Sequence, residues 1–431
     1  MSESSSSLTL RTTVPATVGT FGRVTAAISD AGGRLGGVDI VRSTKTDVTR
    51  DYTVYVPSDE VGAAVVAAVE AVEGVRVEEV RNRVLTLHEG GVVGMRNRMP
   101  LTSRDDLSMA YTPGVARVCM AIHHDFEQAW EYTIKANSVM VVSDGSSVVG
   151  LGDLGADASL PACEAKCLFL RELAGIDAFP LPVDARDPEA IIEAVALCSS
   201  VFAGIHLSDI SAPRCFQIQT GLAARLDIPV FHDDQQGTAV AVLAALRNGL
   251  AVTGVAPGQA RVVVAGEGPG GIATAALLRA AGVGEVVADA TLPDTRGAHA
   301  LVTFDGVRVG PADVPAGAIV FALGAPQPEI AAVARVYGDA LPGSANQINS
   351  AIAFPGIWRG ALACRASEIT DAMLLAAAGA IADAARDEEG TVGADLVVPS
   401  PLSRDLVESV AEAVRAAAVD GGVARVGAGT H

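Results

Sequence analysis

A short apolar run, Arg261 to Ala265, leads into Gly266-Glu267-Gly268-Pro269-Gly270-Gly271 and then into an alanine- and leucine-rich stretch ending at Ala280. The order is strand, glycine turn, helix, and it constrains the architecture more than any other segment. Gly266, Gly268 and Gly271 fit G-x-G-x-x-G, a turn whose backbone N–H groups and following helix N-terminus can hold a pyrophosphate. Pro269 falls where the helix begins, a position that tolerates its missing donor. The next apolar run, Glu285 to Ala288, ends at Asp289, where an acid can bind the ribose of a dinucleotide. An acid there favours NAD over NADP, because it repels a 2′-phosphate. This order belongs to a Rossmann-like α/β domain with a parallel sheet.

The chain has 431 residues, enough for about three domains. Its 31 basic and 50 acidic residues give a net charge of −19, which argues against a nucleic-acid partner or an anionic membrane surface. The apolar stretch from Ala372 to Ala382 is bracketed by Asp371 and Asp383 and is too short to span a bilayer. The serine-rich N-terminus lacks the basic end and apolar core of a signal peptide. The six cysteines form no C-x-x-C pair, and Cys163 and Cys167 lie four apart on an expected helix. Small buried hydrophobes in a reducing compartment explain them, and the expected location is the cytoplasm.

Residues 8–88 alternate in βαββαβ order, the ferredoxin-like pattern, with the last strand expected from Val75 to Leu87. Gly19-Thr20-Phe21-Gly22-Arg23-Val24, followed by Gly32-Gly33 before a strand, resembles an ACT domain, with Val18 where such domains usually carry proline. The resemblance implies either a small-molecule effector site or a module used only for dimerisation. A catalytic α/β domain is expected over 95–250, the Rossmann-like domain over 251–400, and a C-terminal helix and tail over 401–431.

In the central segment three expected strands end in polar residues: Ser143 before Asp144, Leu207 before Ser208-Asp209, and Phe231 before His232-Asp233-Asp234. Ligands of open α/β sheets collect beyond the carboxyl ends of strands, so these carboxylates can converge. Asp209 and Asp234 would suit Mg²⁺ or Mn²⁺. Taken alone, capping of the helix near Gln236 by Asp233 or Asp234 is the simpler reading. Lys166 falls in the apolar stripe Cys163, Cys167, Leu170 and Leu173. Desolvation there would lower its pKa and make it a general base, whereas a snorkelling amine would be inert.

Read together, Ala110-Tyr111-Thr112-Pro113-Gly114-Val115, Gly150-Leu151-Gly152-Asp153, Glu164-Ala165-Lys166, Phe231 to Thr238, Asn349 and Ala353-Phe354-Pro355-Gly356-Ile357 resemble signature stretches of malic enzymes. With the ACT-like front, the resemblance covers nearly the whole chain in order. It implies a homo-dimer or higher homo-oligomer that oxidatively decarboxylates a small 2-hydroxy acid with NAD. Tyr111 would be the general acid, Lys166 the base and Asp233 its partner. Asp209 and Asp234 would hold Mg²⁺ or Mn²⁺, and Asn349 would touch substrate.

The chain also departs from that family. Ser208 stands where a glutamate precedes the metal-binding aspartate, Ala325 replaces an asparagine near the nicotinamide, and Asn349-Ser350 replaces paired asparagines. The stretch from Asp289 to Ala318 is short, with room for one hairpin from Leu301 to Val309 and no copy of a G-V-S-x-P-G-like turn. Alternatives to the redox enzyme are therefore a metal-dependent oxo-acid decarboxylase that needs no hydride transfer, and a binding or regulatory protein on the same scaffold.

Overall fold

The computed structural model describes residues 6–148, 150–324, 326–341, 344–386 and 391–426. The chain forms two compact units, Met1–Gly94 and Met95–His431.

In the first unit, β1 (Ser6–Pro15), α1 (Thr20–Asp30), β2 (Arg34–Ser43), β3 (Asp47–Val56), α2 (Asp59–Glu70) and β4 (Arg76–Asn82) give the expected βαββαβ order. The sheet is antiparallel, in the order β2-β3-β1-β4. Leu10, Tyr52 and Val54 from its strands pack against Val24, Ile28, Val65 and Val69 from the two helices. This is the ACT-like topology. The last strand stops at Asn82 rather than Leu87, because the Asn82 side chain accepts from the N–H groups of Val84 and Leu85 and so caps a one-turn helix, α3 (Arg83–Leu87).

The second unit opens with α4 (Arg104–Ala110), α5 (Gly114–His124) and α6 (Ala129–Tyr132). Four parallel strands follow with their crossover helices: β5 (Ser138–Ser143), α7 (Ala156–Ala174), β6 (Asp177–Pro182), α8 (Pro188–Cys198), β7 (Gly204–Leu207), α9 (Arg214–Arg225) and β8 (Val230–His232). Their order is β6-β5-β7-β8, so the carboxyl ends of β5, β7 and β8 share one edge. A π-helical turn, Asp233–Gly237, leads into α10 (Thr238–Thr253). This helix is buried without a break from Ala239 to Leu246. A helix apolar all round has to lie inside the protein, and α10 does so by packing against elements of both halves of the unit.

The second sheet comprises β9 (Arg261–Ala265), α11 (Pro269–Ala280), β10 (Glu285–Asp289), β11 (Ala300–Thr303), β12 (Ile319–Ala322), α12 (Pro328–Ala331) and β13 (Val336–Asp339). It is parallel throughout, in the order β10-β9-β11-β12-β13. The hairpin expected from Leu301 to Val309 does not form. Ala300, Leu301 and Val302 are all fully buried, which suits a central parallel strand covered on both faces and not a hairpin arm. No α-helix joins β10 to β11 among the described residues, so this Rossmann-like sheet is shortened in its helical layer. The chain closes with α13 (Phe354–Ala363), α14 (Asp371–Ala384) and α15 (Leu406–Asp420), the last packed on the other two.

α13 fastens to the first sheet through Trp358. A Cβ on Gly204 would lie 2.1 Å from the indole, so only glycine lets the ring rest on β7. The buried Trp358 Nε1 donates to His206 Nδ1 at 3.0 Å, which fixes the imidazole proton on Nε2. Burial pushes His206 down from 6.5 to about 4. A histidine whose folded pKa lies below its unfolded value costs no stability above pH 6.5. It costs more as pH falls toward 4, because the unfolded chain takes up the proton first. In chemical denaturation, the wild-type protein should lose roughly 2 kcal/mol relative to His206→Gln between pH 6.5 and 4.5. Parallel stability curves would show that His206 is not held neutral.

Candidate active site

Lys166 comes from the middle of α7, and its amine donates to Asp233 Oδ2 at the start of the π-helical turn. Asp233 is fully buried, whereas the lysine side chain keeps 22% of its exposure. The lysine therefore neither snorkels free nor stands isolated. Its ammonium also lies 5.4 Å from the centre of the Phe354 ring, which joins the Ala353-Phe354-Pro355-Gly356 stretch to the site. The Lys166 amine does not shift downward as its place in the apolar stripe suggests. Burial alone pulls the amine down, but the nearby carboxylates of Asp233, Asp234 and Asp209 outweigh it and the net shift is upward. Burial likewise favours protonation of Asp233, and Lys166 overrides that effect and holds it ionised.

Asp209 follows β7 in the left-handed region, with φ of 57°. A non-glycine residue in that region is uncommon, although aspartate tolerates it better than most. The Asp209 N–H donates to Asp234 Oδ2 at 2.8 Å, which ties the ends of β7 and β8 together. Neither Asp233 nor Asp234 caps the following helix. Burial, then the negative charge of Asp234, pushes Asp209 up to about 7, and burial, then Asp233, pushes Asp234 up to about 6. The site thus gathers three carboxylates around one ammonium.

Among the described residues no group of three or more His, Cys, Asp or Glu side chains is arranged to hold a metal ion. Within this cluster, among the described residues, Asp209 and Asp234 present hard oxygen donors that form no ion pair with lysine or arginine. Such a pair suits an ion of the Mg²⁺ type, which binds through one or two carboxylates and keeps several waters. Ser208, buried beside them, brings no charge. Asp144 shares the same sheet edge but is spent on Arg214, whose Nη2 donates to it at 2.9 Å. That partner, 70 residues away, gave no signal in the sequence.

Two other expected residues show no hydrogen bond to this cluster. Tyr111 is 68% exposed at the end of α4. Asn349 uses its side chain on backbone, accepting from Ala351 N–H and donating to Ala340 O. Ser350 is the closer neighbour, since a Cβ on Gly237 would meet both its Cβ at 2.9 Å and Asp233 Oδ1 at 2.7 Å. Ala325 falls outside the described residues.

The glycine turn links β9 to α11 as the sequence implies. A Cβ on Gly271 would lie 2.0 Å from the Gly266 carbonyl, so the tight turn admits no side chain there. Gly268 N-caps α11 without a side chain of its own, the form expected of a pyrophosphate cradle. Asp289 ends β10 beside the turn, and its carbonyl accepts from Gly266 N–H at 2.8 Å. Its carboxylate receives the Thr291 N–H and hydroxyl, which hold it below its ordinary range. A Cβ on Gly270 would lie 3.3 Å from the Asp234 carbonyl oxygen, so the nucleotide loop abuts the carboxylate cluster.

A strand-end cluster of acids and a lysine, next to a dinucleotide turn, defines a nucleotide-linked α/β enzyme. The descriptions "Malic enzyme, N-terminal domain" and "Malic enzyme, NAD binding domain" match residues 94–189 and 312–419. An NAD-dependent malic enzyme of Geobacillus stearothermophilus is 40% identical, over 97% of this chain and 95% of its own length. An NADP-dependent malic enzyme of Escherichia coli (strain K12) is 36% identical over 80% of this chain and 53% of its own. The crystal structure of malic enzyme from Pyrococcus horikoshii superposes with a TM-score of 0.75 at 37% identity, covering 80% of this chain and 92% of that one. The chain belongs to the malic enzyme family and is an enzyme of the oxidoreductase class.

Asp233→Asn should lower the Lys166 pKa, because it removes the nearest charge opposing burial. Acylation of Lys166 at mildly alkaline pH, followed by peptide mass spectrometry, should then be faster than in the wild type. An unchanged labelling profile would refute the pairing.

Proposed function

We propose that this chain carries out the metal-dependent oxidative decarboxylation of malate, or of a closely related 2-hydroxy acid, to pyruvate or its analogue and CO₂, with NAD⁺ as hydride acceptor. The observation that carries the reading is the Lys166–Asp233 pair, set among Asp209 and Asp234 with the nucleotide loop against the same turn. Lys166, as free amine, takes the substrate hydroxyl proton on Nζ while the C2 hydride passes to NAD⁺. Asp233 fixes the direction of that amine. Loss of CO₂ leaves the bonding pair on an enolate, to which Tyr111 supplies the proton.

Asp209 and Asp234 would hold Mg²⁺ or Mn²⁺, which supplies a Lewis acid for the substrate oxygens and an electron sink for decarboxylation. With those two carboxylates engaged, Asp233 is the acid left opposing deprotonation of Lys166, and the amine moves toward the neutral form a base needs. Asn349 would contribute to binding the substrate carboxylate. Asp289 favours NAD over NADP at the ribose.

A homo-oligomer would cover α4 and α5, which bury no residue within the chain and expose Leu107, Met109, Tyr111 and Met120. The ACT-like unit supports a small-molecule effector. Free cysteines throughout, Cys163 and Cys167 buried among them, suit a cytoplasmic protein. No helix among the described residues is long and apolar enough to cross a membrane. The missing helix between β10 and β11 favours a second reading, decarboxylation of an oxo acid without net redox chemistry.

Purified protein with Mn²⁺, malate and NAD⁺ should generate NADH, followed by its absorbance. Lys166→Ala should lower kcat by roughly 10²–10⁴-fold. Undiminished turnover in that variant would sink the mechanism, and CO₂ release from oxaloacetate indifferent to NAD⁺ would select the second reading.

A further inference from the structure

The second sheet reverses its strand order at β9, which has β10 on one side and β11 on the other. Ligands of such sheets enter the crevice beyond the carboxyl ends of the strands at that reversal. Two turns border it here, Gly266–Gly268 after β9 and Phe304–Gly306 after β11. The second turn places a carboxylate inside the first. Asp305 Oδ2 accepts from Gly268 N–H at 2.9 Å. A Cβ on Gly268 would meet the two Asp305 carboxylate oxygens at 2.5 and 2.7 Å, and one on Gly266 would lie 3.0 Å from Oδ2. The carboxylate therefore rests on the glycine surface itself.

The backbone behind it is held in an uncommon form. Asp305 has φ of 52° and Gly306 has φ of 76°. A Cβ on Gly324 would lie 2.6 Å from Gly306 N and 2.8 Å from Asp305 N, so the segment just after β12 packs against the turn. Among the described residues Asp305 has no arginine or lysine partner, and its side-chain hydrogen bond goes to the glycine loop. Left-handed strain at a non-glycine residue persists only where surroundings impose it, and here it aims an acid at the N-terminus of α11.

We infer that Asp305 is a self-ligand of the nucleotide loop. Its carboxylate occupies the anion subsite that a dinucleotide pyrophosphate takes, and the nucleotide enters only as Asp305 leaves. The inference rests on the NAD reading above. A carboxylate and a pyrophosphate cannot share one N–H donor, and their like charges repel at this separation. The apparent affinity is therefore reduced by the fraction of molecules in which Asp305 is seated. Asp305 thereby becomes a determinant of nucleotide affinity that works through occupancy of the cradle.

The test is calorimetric titration of the full-length wild type, Asp305→Asn and Asp305→Gly with NAD⁺, ADP and adenosine. Asparagine and glycine both accept a left-handed backbone, so both variants retain the turn. Affinity for NAD⁺ and ADP should rise roughly tenfold or more in Asp305→Gly and by less in Asp305→Asn, whose amide oxygen can still accept from Gly268 N–H, while adenosine, which carries no phosphate, binds as it does to the wild type. Equal NAD⁺ affinity in all three proteins would overturn the self-ligand and leave the NAD reading standing. Weaker binding in the variants would also overturn it, by making Asp305 a contact of the nucleotide. Absence of NAD⁺ binding in all three would overturn both.

Discussion

Partial burial of an ammonium is costly without a compensating partner, and the pairing of Lys166 with Asp233 supplies a counter-charge where α7 crosses the end of the first sheet. Removing either partner from a buried pair leaves an uncompensated charge. That fixes the register of α7 against β8 and the placement of the turn at Asp233–Gly237. The same pair decides what its neighbours can do. Lys166 bonds to Asp233, while burial and then a neighbouring acid push Asp209 and Asp234 toward neutrality against its attraction. Their oxygens leave this edge rich in hard donors, with the uncharged Ser208 buried beside them.

Behind the charged edge the packing is aromatic and fully buried. His206 pairs in register with Phe231 and lies against the rings of Phe354 and Trp358. Trp358 reaches that position because Gly204 has no side chain, and its indole N–H is satisfied by a histidine that burial keeps neutral. Phe354 serves both layers, facing His206 on one side and the Lys166 amine on the other. Excluding water from this wall strengthens each electrostatic contact in front of it. The two sheets are then coupled through α10, whose unbroken apolar surface leaves it no orientation other than the interior.

Much of this was legible in residue order. The βαββαβ module, the strand–glycine–helix unit and the polar strand ends all follow from local periodicity and turn chemistry. Lys166 could be singled out because it interrupts an apolar stripe, but its pKa direction could not, since that depends on three acids contributed by two other strand ends. β11 was misread as a hairpin because a four-residue apolar run looks the same whether it lies at a sheet's edge or its centre; only its pairing with both β9 and β12 decides. Asp144 belongs to the strand-end acids that residue order groups together, and its pairing with Arg214, on a separate helix, could not be read from it. Asp305 gave no signal at all, because its meaning lies in a contact across the crevice between two turns.

The two halves of the site share one piece of backbone. Gly270 approaches the Asp234 carbonyl closely enough that a side chain there would crowd it, so the loop that receives a nucleotide lies directly against the turn that carries the acids. Asp305 holds that loop from the opposite side through Gly268. The glycine turn is thus gripped between an acid that competes for its N–H and a turn whose acids attract a cation. Nucleotide arrival would release the first contact without disturbing the second, because Gly268 and Gly270 present different surfaces of the same turn. The strand order makes this arrangement possible, since β11 lies directly beside β9 and the turn that follows it sets Asp305 at the mouth of the cradle.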